Sequence, residues 1–367
     1  TRTASGYCEC GYSVNRTSDS SFKVFTELLE TDFLHSENLT GAGWTPQEYN
    51  VSHQAARGPY GKQFRVSNVV ANPLRDEYSW AGSSVNGGDA GLQLWVRSND
   101  SDGLVGAAEL AAQRTDVLYG SFRIGVKMSG VQGTCAAFFW FRNDSQEIDL
   151  EFLSKQFNDS SSAVNLVLQT PLSVAAGYDA SGTPEFKVEA LPFRPDKEFH
   201  EYRFDWSPEK VSFYADGRWL YDMTNYSPNS PGHLVMNHWS NGDPSWSAGP
   251  PQSDAVMTVS YVKAYFNSSN PTRKEAYAAR CPTFNPNSVC EIPDQTTPPD
   301  PSGANGNQTA RTFFFSLDPG YSPNQTVYKS TNNTNNGAAS RLAASRPASL
   351  WASAPLFVAL LTWTFAL

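Results

Sequence analysis

The chain has 367 residues, of which 27 are basic and 36 are acidic, and its net charge is −9. An acidic protein repels the phosphate backbone of nucleic acids, so the charge argues against nucleic-acid binding and leaves a neutral polysaccharide as an allowed partner. Aromatic residues make up 13% of the chain and charged residues only 17%, below the ~25% of typical domains. The composition therefore predicts a folded chain that buries a full core and also has aromatic side chains on its surface.

Short runs of alternating apolar and polar residues extend through residues 20–266, and helical periodicity is nearly absent. The predicted strands, in chain order, are residues 92–97, 120–128, 136–141, 147–153, 164–169, 200–206, 211–215, 218–221 and 256–266. The Asp216-Gly217 pair between two of these strands predicts a hairpin turn. Many short strands over about 240 residues predict an all-β fold, either a two-sheet sandwich or a jelly roll.

Glycosylation signals are frequent in this sequence. Eleven N-x-S/T sequons occur, more than the roughly four to five that its Asn, Ser and Thr content predicts by chance. The excess predicts a secreted glycoprotein. The sequons begin at Asn15, Asn38, Asn50, Asn99, Asn143, Asn158, Asn225, Asn267, Asn307, Asn324 and Asn332.

The five cysteines agree with an oxidising compartment. Cys8 and Cys10 lie near the start of the chain, Cys281 and Cys290 close the predicted folded part, and Cys135 stands alone in an apolar run. Disulfides among the first four would tie the two ends of the domain together, with their connectivity left open. Cys135 is then expected to be a buried free thiol.

The composition changes near residue 294, where Pro, Asn, Thr, Ser and Gly become dominant. This change predicts a domain over residues 1–293, with its core at about 20–266, followed by a glycosylated stalk over residues 294–336. Three consecutive phenylalanines at 313–315 have no explanation in such a stalk.

The last residues have the arrangement of a GPI-attachment signal. Small residues around Gly337 precede a polar spacer, and the 18 residues from 350 to 367 carry no charge. A membrane-spanning tail anchor is the alternative, but 18 residues are short for a span and Pro355 interrupts them. We therefore predict a GPI-attachment propeptide over residues 337–367 and an extracellular protein anchored to the plasma membrane, at the cell surface or cell wall.

Residues 146–152, QEIDLEF, are the strongest functional signal. Side chains alternate between the faces of a strand, so the apolar residues point into the core while Glu147, Asp149 and Glu151 share the opposite face. Adjacent carboxylates repel one another, which indicates a chemical role. Glycoside hydrolysis uses such a set, because one carboxylate attacks the anomeric carbon and another protonates the leaving oxygen. Asp149 would hydrogen-bond the nucleophile and influence the protonation of both neighbours.

Two other interpretations of this strand stay open, namely a solvated acidic edge and a cation site, since rows of carboxylates also bind Ca²⁺. Geometry adds a condition for catalysis. Glu147 and Glu151 are ~13 Å apart at Cα on a flat strand, whereas retaining enzymes need about 5–5.5 Å between the carboxyl groups. Catalysis therefore requires a strand that bends into a concave cleft.

Four tryptophans are candidates for stacking on sugar rings in such a cleft. Trp140 is expected to share a sheet face with the acidic residues, and Trp206 follows in a later strand. Trp239 and Trp246 lie in NHWSNGDPSW, whose Asn and Asp side chains suit sugar hydroxyls, and the Gly- and Pro-rich setting makes Trp246 the better cleft candidate. No metal site and no cofactor are predicted, because the histidines are scattered and the known metal and nucleotide motifs are missing.

These motifs, in this order, resemble glycoside hydrolase family 16 over roughly residues 70–266. The residues that carry the resemblance are 119–123 (YGSFR), 138–141 (FFWF), 147–151 (EIDLE), 200–206 (HEYRFDW) and 213–217 (FYADG). The resemblance implies a concanavalin-like β-jelly-roll sandwich of two antiparallel sheets. It also implies a retaining mechanism with Glu147 as nucleophile, Asp149 as assisting acid and Glu151 as general acid/base.

The E-x-D-x-E spacing is similar to the unbulged strand of licheninases, xyloglucan enzymes and fungal chitin–glucan transglycosylases. Together with the sequons and the tail, it resembles fungal, GPI-anchored wall-remodelling enzymes. The implied function is a monomeric, endo-acting glycosidase on β-linked cell-wall glucans that forms a covalent glycosyl-enzyme intermediate. A cell-wall transglycosylase with the same residues is an alternative. A non-catalytic wall lectin and a structural wall glycoprotein are alternatives of other classes.

Overall fold

The protein is described here by a computed structural model, which covers residues 8–303, 306–318, 320–322 and 325. Within these residues the chain is built mainly from strands. They are β1 (Gly11–Ser13), β2 (Glu27–Asp32), β3 (Trp44–Pro46), β4 (Tyr49–Val51), β5 (Gly61–Phe64), β6 (Val69–Asn72), β7 (Gly91–Val96), β8 (Asp100–Ser101), β9 (Leu104–Ala112), β10 (Val117–Lys127), β11 (Cys135–Asn143), β12 (Gln146–Leu153), β13 (Ser162–Gln169), β14 (Phe186–Leu191), β15 (His200–Trp206), β16 (Val211–Ala215), β17 (Arg218–Met223), β18 (His233–Trp239), β19 (Ala255–Ser268) and β20 (Val289–Glu291). The helices are α1 (His53–Ala56), α2 (Pro171–Ala175), α3 (Pro271–Arg280) and α4 (Gly306–Thr309), with single 3₁₀ turns at Val66–Asn68, Ser154–Gln156, Pro286–Ser288 and Phe315–Leu317.

Two large sheets form the body of the molecule. One has eight strands in the order β17-β16-β15-β10-β19-β7-β6, with β2 also paired to β19. The other has ten strands in the order β14-β13-β12-β11-β18-β9-β5-β4, with β3 and β8 also paired to β9. Within these two sheets, neighbouring strands are antiparallel except for β5 and β9, which are parallel. The prediction of an all-β, jelly-roll sandwich of two antiparallel sheets is confirmed.

The two sheets bury one continuous hydrophobic core between them. Phe138 from the ten-stranded sheet and Phe204 from the eight-stranded sheet have ring centres 5.6 Å apart, and Phe122 packs on Phe204 at 4.9 Å. Alternate residues of β12 join this core, since Ile148 and Leu150 are fully buried. Packing of one face of β12 against the other sheet fixes the register of the strand and presents its remaining side chains on the outer face.

Two disulfides join the ends of the domain. Cys8 is bonded to Cys290 and Cys10 to Cys281, and β1 pairs in parallel with β20 beside them. Cys135 is a buried free thiol. The prediction that the outer four cysteines tie the chain ends together is confirmed, and the structure supplies the connectivity that the sequence left open.

Removing the pair Cys8 and Cys290 by double substitution to serine is expected to lower the free energy of unfolding by about 3 kcal/mol. The Cys10–Cys281 bond still joins the chain ends in this variant, so the constraint that is lost is the short ring between the two disulfides and not the full loop of 282 residues. The measurement is urea unfolding of the wild type and the variant at the same pH. An unfolding midpoint that does not change would show that this bond adds no stability beyond that of the Cys10–Cys281 disulfide.

The folded unit continues beyond the predicted boundary at residue 293. Phe314 and Phe315 are buried and lie on the outer face of the eight-stranded sheet, where Phe315 packs against Tyr12 at 5.2 Å between ring centres. The Ser316 backbone N–H donates a hydrogen bond to the Glu30 carboxylate at 2.9 Å. These contacts explain the phenylalanine triplet, because it anchors the segment after β20 to the domain.

The predicted GPI-attachment segment, residues 337–367, lies outside the described residues. Within the residues that are described, no helix is long and apolar enough to span a membrane.

Candidate active site

The strand β12 places the three acidic side chains together. It pairs with β11 and β13 without a register shift from Glu147 to Leu153 on the β11 side, so alternation is maintained over the whole motif. Glu147, Asp149 and Glu151 therefore lie on the face opposite to the core and line a cleft of about 770 Å³. The prediction that the motif lies on one continuous strand, with its carboxylates on one face, is confirmed.

Burial and mutual repulsion shift the titration of all three carboxyl groups. Burial raises the pKa of Glu147 to about 7, and the charge of Glu151 contributes to that rise. The pKa of Asp149 is raised well above its usual range, first by burial and then by the charges of Glu147 and Glu151. A hydrogen bond between the two groups lowers the pKa of Glu147 and raises the pKa of Asp149, so it favours a proton on Asp149 and a carboxylate on Glu147. The cluster thus favours a protonated Asp149 beside an ionised Glu147.

Glu151 has a different set of neighbours. Its pKa is raised by burial and lowered by hydrogen bonds from Cys135 and Trp246 and by the charge of Lys62. The Cys135 thiol donates to Glu151 Oε1 across 3.6 Å. Cys135 lies opposite Leu153 in the β11–β12 pair. Leu153 is two residues beyond Glu151 on the same face of the strand, so the Cys135 thiol lies beside the Glu151 side chain. These contacts hold the Glu151 carboxyl in one orientation in the cleft.

Lys62 is a half-buried cation in the cleft. Its Nζ lies 3.4 Å from the centre of the Trp239 ring, a cation–π contact that fixes the ammonium group. Burial lowers the pKa of Lys62 to about 8, against the opposing effects of Cys135 and Glu151. Nothing in the sequence around Lys62 distinguishes it from a surface lysine, and this residue was missed by sequence reasoning.

The structure corrects the predicted role of Trp140 and Trp206. Trp140 lies opposite Ile148 on β12, so it shares the core face of the sheet and not the face of the carboxylates. Both indoles are buried between the two sheets, with ring centres 4.3 Å apart. Each indole N–H donates to a backbone carbonyl, that of Val117 for Trp140 and that of Pro228 for Trp206. Neither ring reaches the cleft.

Trp239 and Trp246 do line the cleft. One face of Trp239 is covered by Lys62, and the Trp246 side chain hydrogen-bonds Glu151. Both tryptophans therefore contact the groups around the candidate acid/base, while their stacking on sugar remains a prediction. Three further aromatic residues that sequence reasoning missed also line the cleft, namely Phe139, Tyr178 and Phe186.

Polar groups complete the lining of the cleft. Gln169 lies opposite Glu147 on β13, and Asn237 lies opposite Ala137 on β18. The side-chain oxygens of Gln169 and Asn237 are buried and have no hydrogen-bond partner in the protein. Such oxygens are acceptors that a ligand rich in hydroxyl groups would satisfy.

A comparison with protein families decides the classification. Residues 75–263, just over half of the chain, match the family described as Glycosyl hydrolases family 16. The chain belongs to glycosyl hydrolase family 16. The family 16 match contains all three carboxylates, Trp239 and Trp246, whereas Lys62 lies before its first residue.

The relatives that match this family 16 protein align with only part of the protein's chain. The beta-glucanase of Acetivibrio thermocellus is 31% identical over 184 residues, which are 46% of this chain and 49% of that protein. The chain thus spans about half the length of the curated relatives it matches. Similar solved structures include the Bacillus licheniformis beta-glucanase (TM-score 0.48, 18% identity, 65% of this chain and 97% of that chain) and Crh5 transglycosylase (TM-score 0.46, 16% identity, 71% and 88%).

Proposed function

We propose that the protein is a retaining, endo-acting glycosidase on β-linked glucans, with Glu147 as nucleophile, Asp149 as assisting acid and Glu151 as general acid/base. The observation that carries the proposal is the row of three carboxyl groups on β12, which lines a cleft in a family 16 domain. The reaction needs a protonated acid beside an ionised nucleophile. The raised pKa of Glu151 supports its role as the acid, and the hydrogen bond with Asp149 supports Glu147 as the nucleophile because it lowers the pKa of Glu147.

The reaction has two steps in this arrangement. The Glu147 carboxylate attacks the anomeric carbon while Glu151 donates its proton to the leaving oxygen, so the glycosidic bond breaks and a glycosyl ester of Glu147 forms. The Glu151 carboxylate then removes a proton from an attacking hydroxyl group, which cleaves the ester and releases Glu147. Asp149 stabilises the Glu147 carboxylate at the start and the end of the cycle through its hydrogen bond. Water as the attacking group makes the protein a hydrolase, and a sugar hydroxyl makes it a transglycosylase.

The lining of the cleft supports a glucan as the substrate. The side-chain oxygens of Gln169 and Asn237 are acceptors without a donor in the protein, and a buried acceptor left without a donor is costly. The hydroxyl groups of a sugar chain supply such donors. Curated bacterial relatives that match the domain carry the name beta-glucanase or, in one case, xylanase/beta-glucanase, which favours a β-glucan over other hydroxyl-rich polymers.

The proposal is tested by incubating the purified protein and its Glu147→Gln variant with mixed-linkage β-glucan, laminarin, xyloglucan and chitin oligosaccharides. A fluorescent oligosaccharide acceptor is present, and the products are separated by size. We expect cleavage or label transfer by the wild type and neither by the variant, and the ratio of labelled to free ends then separates transglycosylation from hydrolysis. Retention on a glucan column without any cleavage would contradict the proposal and favour a lectin.

Replacing Lys62 by methionine is expected to move the basic limb of the pH profile of kcat/KM to higher pH. Burial raises the pKa of Glu151, and the Lys62 ammonium group opposes that rise by stabilising the carboxylate. Without this charge the pKa of Glu151 rises further, so the general acid keeps its proton to higher pH. Lys62→Arg retains the charge and is the control. A basic limb that stays in place in Lys62→Met would show that Lys62 does not act on Glu151.

We further propose that the protein is a secreted glycoprotein of the cell surface or cell wall, of the fungal wall-remodelling type. Among the residues whose burial the structure describes, six sequon asparagines are exposed and accessible to glycan attachment, namely Asn38, Asn50, Asn99, Asn143, Asn158 and Asn225. The two disulfides suit an oxidising compartment. GPI attachment, glycosylation of the predicted stalk over residues 294–336 and a monomeric state stay predictions, and release of the protein from cells by a phosphatidylinositol-specific phospholipase tests the anchor.

A further inference from the structure

Two loops from opposite ends of the ten-stranded sheet meet over its cleft face. Residues 52–60 connect β4 to β5 at the end of the sheet where β12 finishes. Residues 170–185 connect β13 to β14 at the end where β12 begins. Arg57 Nη1 donates to the Tyr178 carbonyl at 2.7 Å and to the Gly177 carbonyl at 3.3 Å. We call these three residues, Arg57, Gly177 and Tyr178, the clasp.

The first loop holds Arg57 in place. Ser52 caps the helix α1, and Arg57 ends it in the left-handed conformation with φ 56°. The Asn241 side chain donates to the Ala56 carbonyl at 2.7 Å, and the Tyr60 N–H donates to the Asn241 carbonyl at 3.0 Å. Arg57 thus projects from a turn that is fixed to the loop after β18. Because this turn is already ordered, Arg57 loses little conformational entropy when it hydrogen-bonds the loop that contains Gly177 and Tyr178.

The second loop is also ordered by its own contacts. Thr170 and Ser173 form a capping box at the start of α2, and the Tyr178 N–H donates to the Ser173 carbonyl at 2.7 Å. Tyr178 has φ 66°, a left-handed conformation that is unfavourable for a side chain with a Cβ and persists only when surrounding contacts hold it. The hydrogen bond from Arg57 to the Tyr178 carbonyl is one of those contacts.

The clasp residues line the same cleft as the carboxylates. The two loops start at opposite ends and opposite sides of the sheet, with β12 between them. The contact between them therefore crosses the cleft on the face that carries the row from Glu147 to Glu151. We infer that the clasp roofs the cleft over this row and makes Arg57 a specificity-determining residue, one that admits a single unbranched glucan chain and excludes chains with side branches. The inference rests on the proposed glycosidase function and adds that the substrate bound in the cleft is an unbranched glucan chain.

The chemistry of arginine suits this role. Its planar guanidinium group donates to two carbonyl oxygens at once, whereas the ammonium group of a lysine acts as a point charge. A branch on the sugar bound beneath the clasp would have to displace Arg57 and leave the Gly177 and Tyr178 carbonyls without this donor. A linear chain leaves the hydrogen bonds intact. Discrimination therefore arises from breaking the clasp and not from contacts with the branch itself.

The experiment compares a linear β-glucan with a branched β-glucan of the same main-chain linkage. The measured quantity is the ratio of kcat/KM for the branched substrate to that for the linear one, in the wild type, Arg57→Ala and Arg57→Lys. Both substrates use the same general acid, so the ratio cancels any effect of the lost charge on Glu151. Arg65→Ala is the control, since Arg65 is an exposed arginine directly after β5 that hydrogen-bonds Gln63.

We expect Arg57→Ala to raise the ratio about tenfold, Arg57→Lys to raise it less, and Arg65→Ala to leave it at the wild-type value. An unchanged ratio in an active Arg57→Ala variant would overturn the role of the clasp and leave the glycosidase function in place. If the wild type cleaves neither these substrates nor any other glucan, the proposed function fails, and the inference fails with it.

Discussion

Replacing Glu147 by glutamine is expected to lower kcat for glucan cleavage by about four orders of magnitude or more, because an amide cannot form the glycosyl ester on which both steps depend. Glutamine has the same shape as the glutamate it replaces, so substrate binding is expected to persist. The measurement is the rate of reducing-end release from the substrate that the wild type cleaves best, with binding to the same glucan followed separately.

The matched control for this substitution is Glu275→Gln, which changes an exposed carboxylate on α3 and should leave kcat unchanged. Folding of Glu147→Gln is checked by thermal unfolding. Because the folded-state pKa of Glu147 is raised, its ionisation opposes folding at neutral pH, and removing the charge should stabilise the protein by about 1 kcal/mol. A stably folded Glu147→Gln variant with wild-type turnover would rule out Glu147 as nucleophile.

Replacing Glu151 by alanine is expected to lower kcat/KM for a natural glucan by about two to four orders of magnitude, the usual contribution of a general acid/base. The loss should be far smaller for an aryl glycoside with a dinitrophenol leaving group, which departs without protonation. Added azide should then restore turnover, because azide attacks the glycosyl ester without needing a base. The measurement is release of the phenol with and without azide.

The products distinguish Glu151 from Glu147 in the same assay. With Glu151→Ala, azide attacks an ester on Glu147 and the glycosyl azide retains the β configuration of the substrate. With Glu147→Ala, azide attacks the glycoside directly and gives the inverted α-azide. Equal losses on natural and activated substrates in Glu151→Ala, without azide rescue, would contradict its assignment as the acid/base.

The acidic strand could be predicted in full from the sequence. Alternate residues on a strand share a face whatever the rest of the fold does, and EIDLE contains its own apolar and polar faces. The structure confirms this with an unshifted register, in which Asp149 lies between Phe139 and Val167 of the neighbouring strands. The sandwich of two sheets followed from the same alternation repeated along the chain.

The faces of β11 could not be predicted in the same way. Residues 138–141 are all aromatic, so the alternation that orients a strand gives no signal there. The pairing of Trp140 with Ile148 decides its orientation, and pairing depends on register between strands. Trp206 was misplaced for a related reason, since a tryptophan on a strand suits a core and a cleft equally well.

Groups that are distant in sequence account for the rest. Lys62 reaches Trp239 only because β5 and β18 both flank β9, and Arg57 reaches Tyr178 only through loops at opposite sides of the sheet. The packing of Phe314 and Phe315 on the eight-stranded sheet was hidden in the same way by the composition of the segment around them. None of these contacts leaves a local pattern in the sequence.

The covalent bond between Glu147 and a glucosyl group is tested most directly by trapping it. A 2-deoxy-2-fluoro-β-glucoside or the corresponding oligosaccharide with a good leaving group forms the ester and hydrolyses slowly, because fluorine destabilises the oxocarbenium-like transition state. N-glycans are removed, and the tryptic peptide 143–155, which carries all three carboxylates, is sequenced by mass spectrometry. A fluoroglycosyl group on Glu147 is the expected result, and its attachment to Glu151, or its absence while natural glucan is cleaved, would contradict the mechanism.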